Sequence, residues 1–214
     1  MRVKDAVAII GADLSKPSKM PGFGFSIPAD ACITGSKLAL IPGTPCHKCY
    51  AKRGNYTFSS VQAGLNKRLA NLNHELWVDA VVLLIERRCK SKGVSHFRWF
   101  DAGDLQGVWH LRNIVKAVEL TPHIDHWLPT QERGFISKYL NEYGGFPDNL
   151  CVRISGVKIG SPPPKLHAFK GMVNTSSVGS GAGFKCDAKS RDNQCGPCRA
   201  CWDNGVPNVD YYQH

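Results

Sequence analysis

Between His96 and Gly156 the chain alternates short apolar runs with longer stretches of helical period. "HFRWF" (96–100), "IDHWLP" (124–129) and "LCVRISG" (150–156) read as strands. Between them, "GVWHLRNIVKAVELT" (107–121) places Val108, Leu111, Val115 and Val118 on one helical face, with Pro122 beyond it. "RGFISKYLNEYGG" (133–145) turns Phe135, Ile136, Tyr139 and Leu140 inward, and Gly144 suits a helix C-cap. Strand–helix alternation predicts parallel βαβ units. Upstream, residues 59–92 are helical in pattern, with Leu72, Leu76, Val81 and Leu84 roughly in phase and Arg87, Arg88 and Lys90 near the end, where the helix dipole favours cations. Residues 1–57, rich in Gly and Pro, read as a loop-heavy opening without periodicity.

Further strands are expected from that opening and from "GMVNTSSVG" (171–179). A full eightfold barrel would strain 214 residues. The expected fold is therefore α/β: a reduced or distorted TIM-like barrel over residues 1–180, followed by a cysteine-rich metal-binding segment over 181–214.

In parallel α/β sheets the ligand site forms at the carboxyl ends of the strands. That rule gathers "DAGDLQ", "TQER" and "SGVKIG" on one rim. Asp101, directly after a strand, is the leading candidate for acid–base or nucleophilic work. Asp104 divides between catalyst and N-terminal cap of the following helix. Gly103, Gln106, Gln131, Arg133, Ser155 and Gly156 are the candidate substrate contacts on the same rim.

Composition adds a partner and a cofactor. The net charge is +10, from 27 Lys and Arg against 17 Asp and Glu. It serves solubility or a polyanion such as DNA, with Lys48, Lys52, Arg53 and Arg133 as phosphate candidates. Trp99, Phe100 and Trp127 are candidates for stacking on a base, although such aromatics are more often core. No apolar run is long enough to span a membrane, and "MRVKDAVAIIGAD" turns acidic too soon for a signal peptide. A cytoplasmic setting is expected, in the host cell if the chain is phage-encoded.

Nine cysteines in such a setting point to metal. Cys186, Cys195, Cys198 and Cys201 have C-x8-C-x2-C-x2-C spacing, with Gly196 and Pro197 in the turn. Four thiolates this close suit Zn²⁺, or alternatively an iron–sulfur cluster. His214 is a spare ligand. Cys32, Cys46 and Cys49, with His47 beside them, form a sparser second set. Cys89 and Cys151 lie in apolar surroundings and belong to the core.

"FDAGDLQ" resembles the Asp-Ser-Gly-Gly-Phe-Gln signature of tRNA-guanine transglycosylases, and "DHWLPTQERG" (125–134) resembles their Asp-x-x-Leu-Pro-Thr-Arg segment. A cysteine-rich zinc site follows in the same order. The whole chain also resembles short bacteriophage proteins with a "CYA" segment and a terminal "CGPCRACW"-like cluster, among them DNA-modifying relatives of the transglycosylases. The resemblance implies exchange of guanine for a 7-deazaguanine in DNA through a covalent aspartyl-glycosyl intermediate. Asp101 would read the base, Asp125 would attack C1′ (with Asp104 as the alternative nucleophile), and the terminal cysteines would hold structural zinc. The chain departs from the signature at Asp104 and Gln131, where the family has Gly and Arg. Two rival readings stand beside it. One is an iron–sulfur or S-adenosylmethionine-dependent radical enzyme that uses Cys32, Cys46 and Cys49; the other is a non-catalytic zinc protein that binds nucleic acid.

Overall fold

A computed structural model describes residues 1–166, 169 and 171–212; His214 lies outside them. The chain is α/β, built on a seven-stranded sheet whose paired strands are all parallel. The strands are β1 (Phe23–Phe25), β2 (His96–Trp99), β3 (Asp125–Thr130), β4 (Leu150–Ser155), β5 (Asn174–Val178), β6 (Phe184–Lys185) and β7 (Asn208–Tyr211). Their order is β1-β2-β3-β4-β5-β7-β6, so the first five follow the chain, and among the described residues no ladder joins β6 to β1. The helices are α1 (Val3–Ile10), α2 (Ile33–Leu38), α3 (Ser59–Ala70), α4 (Trp77–Lys92), α5 (Val108–Glu119) and α6 (Arg133–Tyr143). None is long and apolar enough to cross a membrane.

A same-handed crossover after each strand lays successive helices on one face of the sheet. There α1 packs on α4, α4 on α5 and α5 on α6. Alternation along the strands feeds this layer: Phe97, Trp99, Leu128, Leu150, Val152 and Ile154 join the main core with Leu84, Leu111, Ile114 and Ile136. Cys89 and Cys151 are buried, as expected. The expected strands at 96–100, 124–129 and 150–156 and the helices between them form within two residues of those limits.

The opening segment is more ordered than its pattern predicts. Val3–Ile10 forms a helix, started by the reciprocal Arg2–Asp5 capping box and stopped by Gly11 at φ 90°. Ala6 and Ile10, four residues apart, are its buried face, so the helical period is present but only two turns long.

The other sheet face carries Arg98, Trp127 and Arg153, and the C-terminal segment covers it. Trp202 packs on Trp127 and His96 at ring-centroid distances of 5.3 and 5.4 Å, and its indole N–H donates to the Phe97 carbonyl at 2.8 Å. Arg153 is fully buried. Its five N–H groups go to five carbonyls: Cys201 (3.0 Å), Thr175 (3.1 Å), Val206 (2.9 Å), Ala200 (2.7 Å) and Asp203 (2.8 Å). The boundary expected near residue 180 thus falls inside one continuous sheet, between β5 and β6.

Replacing Arg153 with Met leaves those carbonyls buried and unsatisfied. Urea unfolding is expected to show a loss of about 3–5 kcal/mol, and limited proteolysis to reach residues 195–206 first. An unchanged midpoint would rule out this clamp.

Candidate functional site

The carboxyl end of β2 is bent by an uncommon backbone conformation. Phe100 sits at φ 58° while its N–H still donates to the Phe25 carbonyl at 2.8 Å. A bulky residue in the left-handed region carries strain, and such strain gathers at functional sites. The bend delivers Asp101 to a cradle of hydroxyls. Ser26, directly after β1, donates to Oδ1 and accepts the Asp101 N–H at 3.3 Å. Tyr56 donates to Oδ2 at 2.5 Å, and Tyr50 donates to the Asp101 carbonyl. Burial, with the Asp101 charge beside it, pushes the Tyr56 phenol up, so it stays a donor. Arg68 of α3 fixes Ser26 from behind by donating to its carbonyl at 2.7 Å.

Asp104 does not cap α5: that helix begins after Gly107 with no side-chain cap. Its carboxylate instead accepts the Leu105 N–H (2.8 Å), the Thr130 hydroxyl (2.6 Å) and the Gln131 N–H (2.8 Å), and so ties the β2 loop to the β3–α6 turn. Burial raises its pKa to about 7 against those bonds, with nearby Glu132 adding to the rise. Gly103 between the acids has φ 81°, and a Cβ there would meet Ile27 Cγ1 at 2.3 Å. Only glycine fits that approach.

The remaining candidates divide. Gln106 spends its amide on the Ala31 and Asp104 carbonyls, each at 3.0 Å. Gln131 donates to the Gly156 carbonyl at 3.2 Å, which joins two of the expected rim loops. Ser155 accepts a 3.5 Å bond from Ser176, and Arg133 donates to the Lys165 carbonyl at 2.7 Å. Asp125 is not brought to the rim. It opens β3 at the far, amino end of the sheet, exposed and 3.6 Å from His96. Trp99 and Phe100 are core residues, and Trp127 is buried under the Arg98 guanidinium at 4.4 Å.

The excursion between β1 and α3 folds over the rim and brings in Cys32, Cys46 and Cys49. It is tied down by Tyr50, Tyr56 and Gln106 and by Glu132, a buried residue with no signal in the sequence. Glu132 accepts the Thr34 N–H and hydroxyl at 2.7 and 2.8 Å. The Cys32 thiol is pushed far up by burial, then by Asp104 and the other two thiols; Cys46 is pushed to about 11 by burial, then by Cys49 and Asp104. A Cβ on Gly35 would stand 2.9 Å from Cys32 Cβ, 3.5 Å from its sulfur and 3.7 Å from the Cys46 sulfur, so the glycine keeps space open between the thiols.

In the C-terminal set, Cys201 rises to about 12 through burial while its sulfur lies 3.1 Å from the Tyr211 hydroxyl. Burial first, and then Cys186 and Cys198, also raise Cys195. Among the described residues no three His, Cys, Asp or Glu side chains close around one point as a finished ion cage. Surface depressions lie between the start of α4 and α5 and beside Cys198.

The family model described as gene product 88 matches residues 4–204. No curated protein and no solved structure matches the chain.

The fold binds the Asp104 proton more tightly than the unfolded chain does, where a carboxyl titrates near ~4. The stability this group contributes is therefore full below about pH 4 and is lost as pH rises toward 7. Thermal unfolding across that range is expected to show the decline. Asp104→Asn should flatten it while costing about 1–3 kcal/mol for the disturbed hydrogen bonds; a variant with the parent slope would disprove the assignment.

Proposed function

We propose that the chain, which belongs to the gene product 88 family, is an enzyme that carries an iron–sulfur cluster on Cys32, Cys46 and Cys49 and acts on nucleic acid. One observation carries this reading: the excursion over the rim brings the Cys32 and Cys46 thiols near Asp104, Cys32 near Glu132 as well, and Cys49 near both of those thiols. In parallel α/β sheets that is where ligands bind, and the sequential order of β1 to β5 suits an abridged barrel. Gly35 keeps a side chain from crowding Cys32 and the Cys46 sulfur, and Cys32, Cys46 and Cys49 would supply three of a cluster's four protein ligands. When bound, the group supplies one-electron chemistry and a position for S-adenosylmethionine.

The chain's own residues do the rest. Asp101, oriented by Ser26 and Tyr56, presents an acceptor to the N–H edge of a base. Asp104 and Glu132 position the rim by tying it to the β3–α6 turn and to α2. Lys52 is paired with Asp30, and Arg133 is bonded to Lys165, so the exposed Lys48 and Arg53 are the phosphate contacts this reading favours. Cys186, Cys195, Cys198 and Cys201 would hold a structural zinc on the segment that Arg153 fastens.

Asp101 also favours a second reading, exchange of guanine for a 7-deazaguanine in DNA. With Asp125 at the opposite end of the sheet, the nucleophile would be Asp104, whose two oxygens first have to leave Thr130, Leu105 and Gln131.

Protein purified without oxygen is expected to absorb visible light and to contain iron and sulfide. Replacing Cys32, Cys46 and Cys49 with Ala should remove both, whereas Cys186→Ala with Cys201→Ala should remove zinc and leave the colour. A colourless protein that contains zinc alone would refute the cluster. Incorporation of a labelled 7-deazaguanine into guanine-containing DNA by iron-free protein would establish the second reading.

A further inference from the structure

Arg98 and Arg153 lie on the same face of the sheet, on β2 and β4, and are treated in opposite ways. Arg153 has a carbonyl for each of its five N–H groups. Arg98 donates one N–H to the Met20 sulfur at 3.3 Å and one to the Tyr50 hydroxyl at 3.2 Å. Its Nε is buried with no partner, and Arg98 forms no ion pair among the described residues. A half-buried guanidinium set on a thioether and a phenol, with its Nε sealed off and unpaired, is under-satisfied, and such groups in native chains call for an explanation. Asp101, the acid whose charge reaches it, is already engaged with Ser26 and Tyr56.

We propose that Arg98 anchors an oxyanion site that receives a phosphate or carboxylate group. Three observations fit an anion there. The Trp127 ring lies under the guanidinium, 4.4 Å from Cζ, and holds the plane of the fork. Arg98 is itself only half-buried, so a ligand reaches the guanidinium without opening the core. Arg199 bears on the Cys195 thiol together with Arg98, which brings one further cation to this side. A guanidinium fork matches the two oxygens of phosphate or carboxylate, which a thioether does not. This assignment goes beyond the cluster reading and stands without it.

Titration with inorganic phosphate, read by calorimetry, is expected to show binding that Arg98→Gln weakens at least about tenfold. Arg98→Lys, which keeps the charge and loses the fork, should fall between them and carries the test if the Gln variant does not fold. A second arm uses a single-stranded thymidine decamer. If Arg98→Gln weakens both ligands, the phosphate belongs to nucleic acid; if it weakens inorganic phosphate alone, the site takes a small free anion. Equal phosphate binding by the parent and both variants overturns the proposal. Unchanged phosphate binding with loss of metal from the C-terminal thiols also overturns it, and makes Arg98 the counter-charge of those thiolates.

Discussion

The buried guanidinium of Arg153 is the constraint on which the second face of the sheet depends. A parallel sheet needs cover on both faces, and among the described residues the mutually packed helices α1, α4, α5 and α6 cover one of them. The other face is covered by a segment rich in Gly, Cys and polar residues, whose apolar anchor is chiefly Trp202. Such a segment buries too little apolar surface to dock by the hydrophobic effect alone. Arg153 solves this with direction instead of area. Four of its five charge-assisted bonds turn the carbonyls of Ala200, Cys201, Asp203 and Val206 toward one point and replace the water those carbonyls would otherwise keep. Tyr211 of β7 then lies against Cys201.

Two irregular segments therefore approach the sheet from opposite ends. Trp202 to Asn204 reach the amino ends of the strands, where they meet His96, the Asp148 carbonyl and Asn174. The excursion between β1 and α3 covers the carboxyl ends, where it meets Asp101, Gln106 and Glu132. Arg98 is the residue between them, in reach of Tyr50 on one side and of Trp127 on the other. The Tyr50 hydroxyl donates to the backbone of Asp101 and accepts from Arg98, so it couples the strained turn at Phe100 to the interior of the sheet. A change in the position of Arg98 is felt at the rim through that one hydroxyl.

What could be read from the sequence follows the physics of each element. The βα units of 96–155 announce themselves because their strands and helices are buried on regular periods. β7 does not: "NVDY" is held by polar bonds, Asn208 to Thr175 and Ser177 and Asp210 to Ser177 and Ser180, which leave no apolar alternation. Asp101 was legible because a carboxylate directly after a strand has few structural reasons to be there. Its cradle was not, since Ser26, Tyr50 and Tyr56 come from 75, 51 and 45 residues away and carry no motif. Glu132 is hidden for the same reason, 98 residues from the threonine it holds. Asp104 looks like a helix cap by spacing alone, and only the β3–α6 turn shows what its oxygens bind.

The cysteines carry the same lesson one step further. Spacing makes the C-terminal set the stronger metal motif, because four thiols within a short stretch need little help from the fold to meet. Local convergence, however, says nothing about where chemistry happens. That is decided by the carboxyl ends of the parallel strands, where loops are free to vary above a rigid frame. Cys32 is separated from Cys46 and Cys49 by α2, a spacing that looks incidental in the sequence. The fold removes the accident: Thr34, at the start of α2, is bound by Glu132, and Gly35 in the same helix leaves the gap that the sulfurs face. The weaker motif therefore lies beside the buried acids, and the stronger one lies on a segment whose main tie is a structural arginine. Of the two sets, the one that the fold brings together from further apart in the chain is the one at the carboxyl ends of the strands, near the buried acids.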